Sequence, residues 1–345
     1  MLRAEDIIFG HWDGEAEKFE PDEYAFDAVM VSTARAQERT NSVGTYLLKF
    51  AGVDALDIRR ISVFETYRPT CLEEGIVGEE EVVVQSGNYF AEGFCVHSND
   101  HATLSSGNTC RAHHHLDAGP PRHRHSVERM ESNDGSPRPC ATAPTCRASS
   151  SESTRSSPAC AGPGSGLLPP DYTTARSRFL LLGTPSRQRF REGHIHTIYC
   201  NSPTQKTSIH AGTELNNVVI WTNCEMKFGE GVILRNTVIV NESTSDKSFN
   251  TASGLQIGDD DDCATGGGAQ LVTRGGVSIP AQLSMFGGQI LAAGDISFEA
   301  EADGIQGASI VSGGRIEGSS GATMGFCNGA GMENNFEAEY FRLAF

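Results

Sequence analysis

Gln270-Leu271-Val272-Thr273-Arg274-Gly275-Gly276-Val277-Ser278-Ile279 returns 19 residues later as Gln289-Ile290-Leu291-Ala292-Ala293-Gly294-Asp295-Ile296-Ser297-Phe298. A third copy, Ser309-Ile310-Val311-Ser312-Gly313-Gly314-Arg315-Ile316-Glu317-Gly318, follows after another 20. The aliphatic pair, the glycine and the later branched residue recur in place. Upstream, Leu215-Asn216-Asn217-Val218-Val219-Ile220 matches Leu234-Arg235-Asn236-Thr237-Val238-Ile239, again 19 apart. A period of this size, with β-branched residues, glycine and no helical spacing, is what a stacked β-coil needs. Like residues then stack rung on rung, with Gly, Asn or Asp at the turns. The six-residue rhythm of a left-handed hexapeptide coil is missing. The repeat therefore predicts a right-handed parallel β-helix over 189–345, against a Gly-rich β-sandwich as the alternative. It also predicts Leu271, Ile290 and Ile310 as one inward ladder, with Arg315 pointing outward.

The whole chain sets wider bounds. Its 345 residues leave room for two domains, and its formal charge of −17 argues against nucleic acid, whose phosphates need a basic face. Lysine occurs only at Lys18, Lys49, Lys206, Lys227 and Lys247. No apolar run approaches the length of a membrane span, and Met1-Leu2-Arg3 does not open a signal peptide. Ten cysteines without a CxxC pair point to disulfides in an oxidising space rather than to a thiolate metal site.

Residues 1–68 read as a small α/β module. Ile7–Trp12 and Ala28–Ser32 are strands, and Asp13-Gly14 is a turn. Asn41-Ser42 is placed to cap a helix over Val43–Phe50, with Val43, Tyr46, Leu47 and Phe50 on one face. In the strand Ile58–Tyr67, Ile61 and Val63 alternate with polar neighbours. Trp12 reads as a packed core residue rather than a binding aromatic.

The run Ile8-Phe9-Gly10-His11-Trp12-Asp13, then Phe19, a Pro-containing turn and Asp27-Ala28-Val29-Met30-Val31, resembles the exported part of TadG-like proteins. These belong to the tight-adherence (Tad/Flp) pilus-assembly system of bacteria. Phe50-Ala51-Gly52-Val53, then Asp57-Ile58 and an apolar strand, is similar to the same family. So are Cys71–Asn99, Gly325-Phe326-Cys327 and Asn334–Tyr340, which extend the likeness to about three quarters of the chain. In that family a membrane helix and a small-residue helical stretch come first; neither is present here, and the match begins abruptly, as in a truncated copy. The resemblance implies a cell-envelope protein, on the periplasmic or exported face, with pilus or envelope proteins as partners. Membrane association is expected only through the missing helix. No catalytic motif comes with it.

Residues 69–108 form a segment in which Cys71 and Cys95 bracket the strand Val82-Val83-Val84, with Tyr89, Phe90 and Phe94 beside the bridge. Residues 109–188 break the composition. They hold no Ile or Lys and ten of the fourteen prolines, and Arg outnumbers acid ten to six. His113, His114, His115, His123 and His125, with Cys110, Cys140, Cys146 and Cys160, are residue types that bind Zn or Ni. A Pro/Ser/Arg-rich stretch with so little apolar content is nevertheless expected to be a disordered insert. Its composition is also what out-of-frame reading of a GC-rich gene produces, so two compensating frame changes between about Thr109 and Gln188 are the reading favoured here. Six cysteines remain outside it; among fifteen connectivities, proximity suggests Cys71–Cys95 and Cys200–Cys224, and Cys263–Cys327 would then fasten the last coils.

Three features of the β-helical part bear on chemistry. Asp259-Asp260-Asp261-Asp262 offers oxygen ligands to Ca²⁺ but lacks the spacing of an EF-hand, which leaves an exposed acidic turn. Glu299, Glu301 and Asp303 share one strand face at about 7 Å intervals, a separation compatible with an inverting glycosidase pair. The plainer reading is a solvated face. His194 and His196 share a face without a third ligand. No GxSxG, HExxH, phosphate loop or dinucleotide fingerprint is present. The expectation is a non-enzymatic envelope protein of a Tad/Flp system acting in surface attachment, with no catalytic, cofactor-binding or metal residues. The alternative is a secreted β-helical polysaccharide-active enzyme or an adhesin.

Overall fold

Leu215 pairs with Leu234, Val219 with Val238 and Ile220 with Ile239, the register in which these stretches repeat. Gln270, Leu271, Val272 and Thr273 pair in parallel with Gln289, Ile290, Leu291 and Ala292, and these in turn with Ser309, Ile310, Val311 and Ser312. The result, seen in a computed structural model, is a parallel β-solenoid of about eight turns between residues 75 and 325. The structure describes residues 3–13, 16–22, 24–25, 27–46, 48–67, 70–110, 116–118, 179–182, 190–202, 205–336 and 340–343. The expected disorder, the frame change and the His/Cys cluster of 109–188 fall almost wholly outside these. Only Cys110 of that cluster is described, as a buried free thiol in the core.

Each rung has three short strands. On the first strand an inward ladder runs His196, Ile220, Ile239, Leu271, Ile290, Ile310, Ile76, Val96. Every aliphatic member of it is buried, each contributing about 1.5–3 kcal/mol. The corner after this strand is fixed by a polar side chain that accepts the N–H two residues on. Thr222 does so for Cys224, Asn241 for Ser243, Thr273 for Gly275, Ser312 for Gly314 and Ser98 for Asp100, at 2.9–3.1 Å. Such local side-chain bonds pull the chain out of the strand and into a turn. Asn217 and Asn236 take left-handed conformations at the corner before the strand. Gly287 stands two rungs on, where an added Cβ would meet the Gly331 carbonyl at 2.3 Å.

The stack does not follow chain order. Gly75–Gly78 lies directly on Ser309–Ser312, Val82–Val84 on Ile316–Gly318, and Tyr89–Phe90 on Thr323–Met324. Cys95–Ser98 and then Leu116–Ala118 continue beyond, while Phe179–Leu182 pairs with the opposite end through His196–Tyr199. So 75–108, expected as part of a separate segment 69–108, and Thr109–Cys110, expected in the insert, belong to the solenoid as rungs on its C-terminal end. The compact units are Thr70–Glu337 and, separately, Met1–Pro69 with Ala338–Phe345.

All three expected disulfides are present: Cys71–Cys95, Cys200–Cys224 and Cys263–Cys327. They mark a chain that folds in oxidising, extracytoplasmic surroundings. Phe90 and Phe94 are buried in the core with ring centres 6.0 Å apart. Among the described residues no helix is long and apolar enough to cross a membrane.

The N-terminal module is β rather than α/β. Its sheet runs Lys18–Pro21, Ile7–Asp13, Ala28–Arg35, Ile58–Tyr67 and Tyr340–Leu343, all antiparallel. The helix expected over Val43–Phe50 is absent. Val43–Gly44 pairs with Ala55–Leu56, and only a 3-10 turn forms at Leu48–Ala51. Of the proposed apolar face, Tyr46 is 87% exposed and Val43 only half-buried, too little burial from these two to sustain a short helix.

Candidate interaction surface

Several of the carboxylates singled out in the sequence make contacts within the solenoid, while the side chain of Asp303 lies outside the described residues. The strand expected at Glu299–Asp303 leaves the core after buried Phe298, since Ala300 is half-buried and Ala302 exposed. Glu301 accepts the Ser284 hydroxyl at 3.2 Å and Glu299 the Ser320 N–H at 3.3 Å. Asp259 pairs with Arg235, which also holds Glu214 at 2.9 Å, so this contact ties three rungs. Asp261 accepts the Ala264 N–H. Among the described residues no group of His, Cys, Asp and Glu is arranged to hold a metal ion.

His194 and His196 share a strand face, ring centres 6.4 Å apart, but differ in burial. His196 is buried under the edge of Phe190, ring centres 5.2 Å apart, where burial lowers its pKa. His194 is half-buried, its Nδ1 2.7 Å from the Glu192 carbonyl. Trp12 is half-buried on the module's sheet.

One carboxylate was missed by sequence reading. Glu74 is buried and accepts backbone N–H groups from Cys327, Asn328 and Gly329, locking the loop beside the Cys263–Cys327 bridge to the first rung. Burial pushes its pKa up to about 7, against the pull of those donors. Burial likewise raises the Cys110 thiol to about 11, so it stays protonated.

The module presents a different kind of surface. Among the described residues twelve large hydrophobic side chains are exposed, and all but Tyr199 lie between Ile7 and Phe64. Among the described residues the module's buried apolar side chains are Ala25, Ala28, Ala34, Ala36 and Val63. Partners directly opposite one another share a face; Gly10, Ala28, Ala34 and Val63 are buried on one, where Ile8 is nevertheless 37% and Ile61 51% exposed. On the other, Phe9, Val29 and Phe64 form a row across three strands, with Ile7 and Val31 beside it. None of these five is buried; Phe9 is 46% and Ile7 41% exposed. The signal was available in sequence: Ile7-Ile8-Phe9 and Ala28-Val29-Met30-Val31 are unbroken apolar runs, the pattern of strands covered on both faces.

His11 stands at one end of this face, with Nδ1 2.8 Å from Asp27 and Nε2 3.7 Å from Asp22. The Asp27 hydrogen bond, then its charge, raises the histidine's pKa. Elsewhere in the module, Asp6 takes two bonds from Arg39 and one from the Arg3 N–H, which hold its carboxyl far below the usual range.

The profile of a domain of unknown function, DUF7867, matches residues 75–113 and 181–328, more than half of the chain, and the chain belongs to that family. The match traces the solenoid and leaves out the N-terminal module and residues 114–180. No curated protein and no solved structure matches.

Proposed function

Taking that membership as the premise, we propose that the chain is a non-enzymatic envelope protein of the TadG-like pilus-assembly kind. In this reading the disulfide-fastened solenoid is a rigid body and the N-terminal module an association module serving surface attachment. The observation that carries it is the concentration of bare apolar side chains in the module whose residues also carry the TadG-like resemblance. An apolar sheet face left in water favours association, because burying it against a protein removes that surface from solvent. The structural use of Glu299 and Glu301 supports the non-enzymatic reading.

Immobilised full-length protein, incubated with envelope extract from piliated cells, should retain pilus subunits identified by mass spectrometry. Release of reducing sugar from acidic polysaccharides, lost in Glu301→Gln, would replace this reading with the enzymatic one. Retention of no pilus subunit and no sugar release would leave an adhesin unrelated to pili.

A further inference from the structure

We infer that the open edge of the strand Ile58–Tyr67 takes up an extended, acidic segment of a partner protein as an added strand. The inference rests on reading the module as an association module and deepens it by giving the partner's chemistry. The seat is part of one strand. Ala28–Arg35 pairs with one side of Ile58–Glu65, and Tyr340–Leu343 pairs with the other side of Phe64–Tyr67. Among the described residues no strand pairs with the outer edge of Ile58–Val63.

That edge is a row of unused backbone groups. In an antiparallel ladder each residue turns its N–H and C=O to the same neighbour, and successive residues alternate. The Thr66 N–H reaches the Asp27 carbonyl at 2.6 Å, and the Arg60 carbonyl faces the same way, accepting the Thr33 hydroxyl at 3.4 Å. Even-numbered residues therefore serve the Ala28–Arg35 strand. Arg59, Ile61 and Val63 turn theirs outward, as Glu65 and Tyr67 do towards Arg342 and Tyr340. The sheet's opposite edge, Lys18–Pro21, is guarded by Pro21 and by the Lys18–Glu20 ion pair. Ile58–Val63 has no proline, and its Ile58 and Ile61 are exposed.

Charge selects the occupant. Arg59 is engaged by Glu38 at 2.6 Å, Asp57 accepts the Gln37 N–H, and Glu65 stands opposite Arg342. On the other face Arg35 lies opposite Ile58 and Arg60 opposite Thr33. Both arginines are exposed, and among the described residues neither is in an ion pair, although the chain as a whole carries a charge of −17. They repel a basic strand and admit an acidic one. An occupant that alternates acidic and apolar residues sets its acids beside Arg60 and its apolar side chains beside Ile61. The free backbone groups supply affinity and these side chains supply selectivity, as in other cases of strand addition.

The test is fluorescence anisotropy of the full chain with a labelled peptide of about eight residues alternating Glu and Val, long enough to span the seat. Saturable binding is expected, with the Lys/Val counterpart at least about tenfold weaker. Arg60→Glu should shift that preference towards the Lys/Val peptide by about tenfold or more. Ile61→Pro removes an N–H directed out of the sheet, so circular dichroism and disulfide content should stay unchanged while affinity falls by about tenfold or more. N-methylation of the peptide's valines, the residues that stand opposite Ile61, should cost as much and leaves the protein untouched. Absence of saturable binding, binding indifferent to N-methylation, or an unchanged preference in Arg60→Glu overturns the inference. Retention of pilus subunits without peptide binding would overturn the strand addition alone; peptide binding with no pilus subunit retained would overturn the pilus reading alone.

Discussion

The solenoid and the N-terminal module are built from equally apolar strands and treat them differently. Along the solenoid, each aliphatic residue of a rung lands on its counterpart above and below, so the repeat makes its own core. In the module, strands such as Ile7–Asp13 carry apolar residues towards both faces, and Ile7, Ile8 and Phe9 are all left exposed. Periodic stacking satisfies each rung through its neighbours. A single sheet has no such recourse, and its apolar side chains stay exposed on both faces.

The comparison is broken most severely by putting a charge where the solenoid is dry. Ile290→Asp should unfold the solenoid, at a cost of about 4–5 kcal/mol or more, because Ile290 is fully buried within the ladder. Phe64→Asp, at an exposed position of the module's sheet, should leave thermal unfolding nearly unchanged. Arg315→Ala, 46% exposed and paired with Glu81, should cost less than about 1 kcal/mol. Similar losses for Ile290→Asp and Arg315→Ala would contradict the ladder.

The permuted stack can be tested by connector length. Nine successive pairings separate Leu116–Ala118 from Phe179–Leu182 along the solenoid. At about 4.8 Å each this is roughly 43 Å, which needs at least about 13 extended residues. Replacing residues 119–178 with a flexible linker of about 25 residues should keep the solenoid cooperative in thermal unfolding; one of about 8 should not. Equal behaviour of both would reject the stacking order.

Smaller effects sharpen the picture of the core. Between about pH 4.5 and 7 the native state keeps the Glu74 proton and the unfolded chain has lost it, so stability falls as pH rises through that window. Glu74→Gln should flatten this slope, worth up to about 3 kcal/mol, in denaturant titrations at a series of pH values. Thr251 has a buried hydroxyl without a partner. Thr251→Val should therefore raise stability by about 1 kcal/mol, read as a shift in denaturation midpoint. A loss there would mean the hydroxyl is in use.

Much of the solenoid was legible because identity at a fixed period specifies register: Gln270 above Gln289, Leu215 beside Leu234. Two bridges were legible because cysteines 24 residues apart fall about one rung on, and the third was the pair that remained. Stacking order was less so, since like residues specify that two rungs fit and not which follows which. A trace existed in Gln85-Ser86-Gly87-Asn88, Ser105-Ser106-Gly107-Asn108 and Ser319-Ser320-Gly321-Ala322, which the structure stacks, with Asn88 bonding to Asn108, Ser319 and Ala322. The module misled at Val43–Phe50 because four apolar residues at helical spacing predict a helix only where another element receives them. Its exposed apolar side chains went unread because apolar runs report intended burial, not the chain that supplies it.

The seating of the first rungs upon the last has a consequence for synthesis. Asn88 and Ala322, which are bonded to each other, stand 234 positions apart. At roughly 5–20 residues per second, the ribosome leaves the early rungs waiting on the order of 10–50 seconds for their neighbour. Until then their strand edges are templates for wrong pairing. Closure over so long a loop is also slow compared with pairing between successive rungs. The nascent chain is thus most vulnerable at its oldest rungs, and a holdase that shields 75–110 until residue 325 has emerged would help folding more than one acting later.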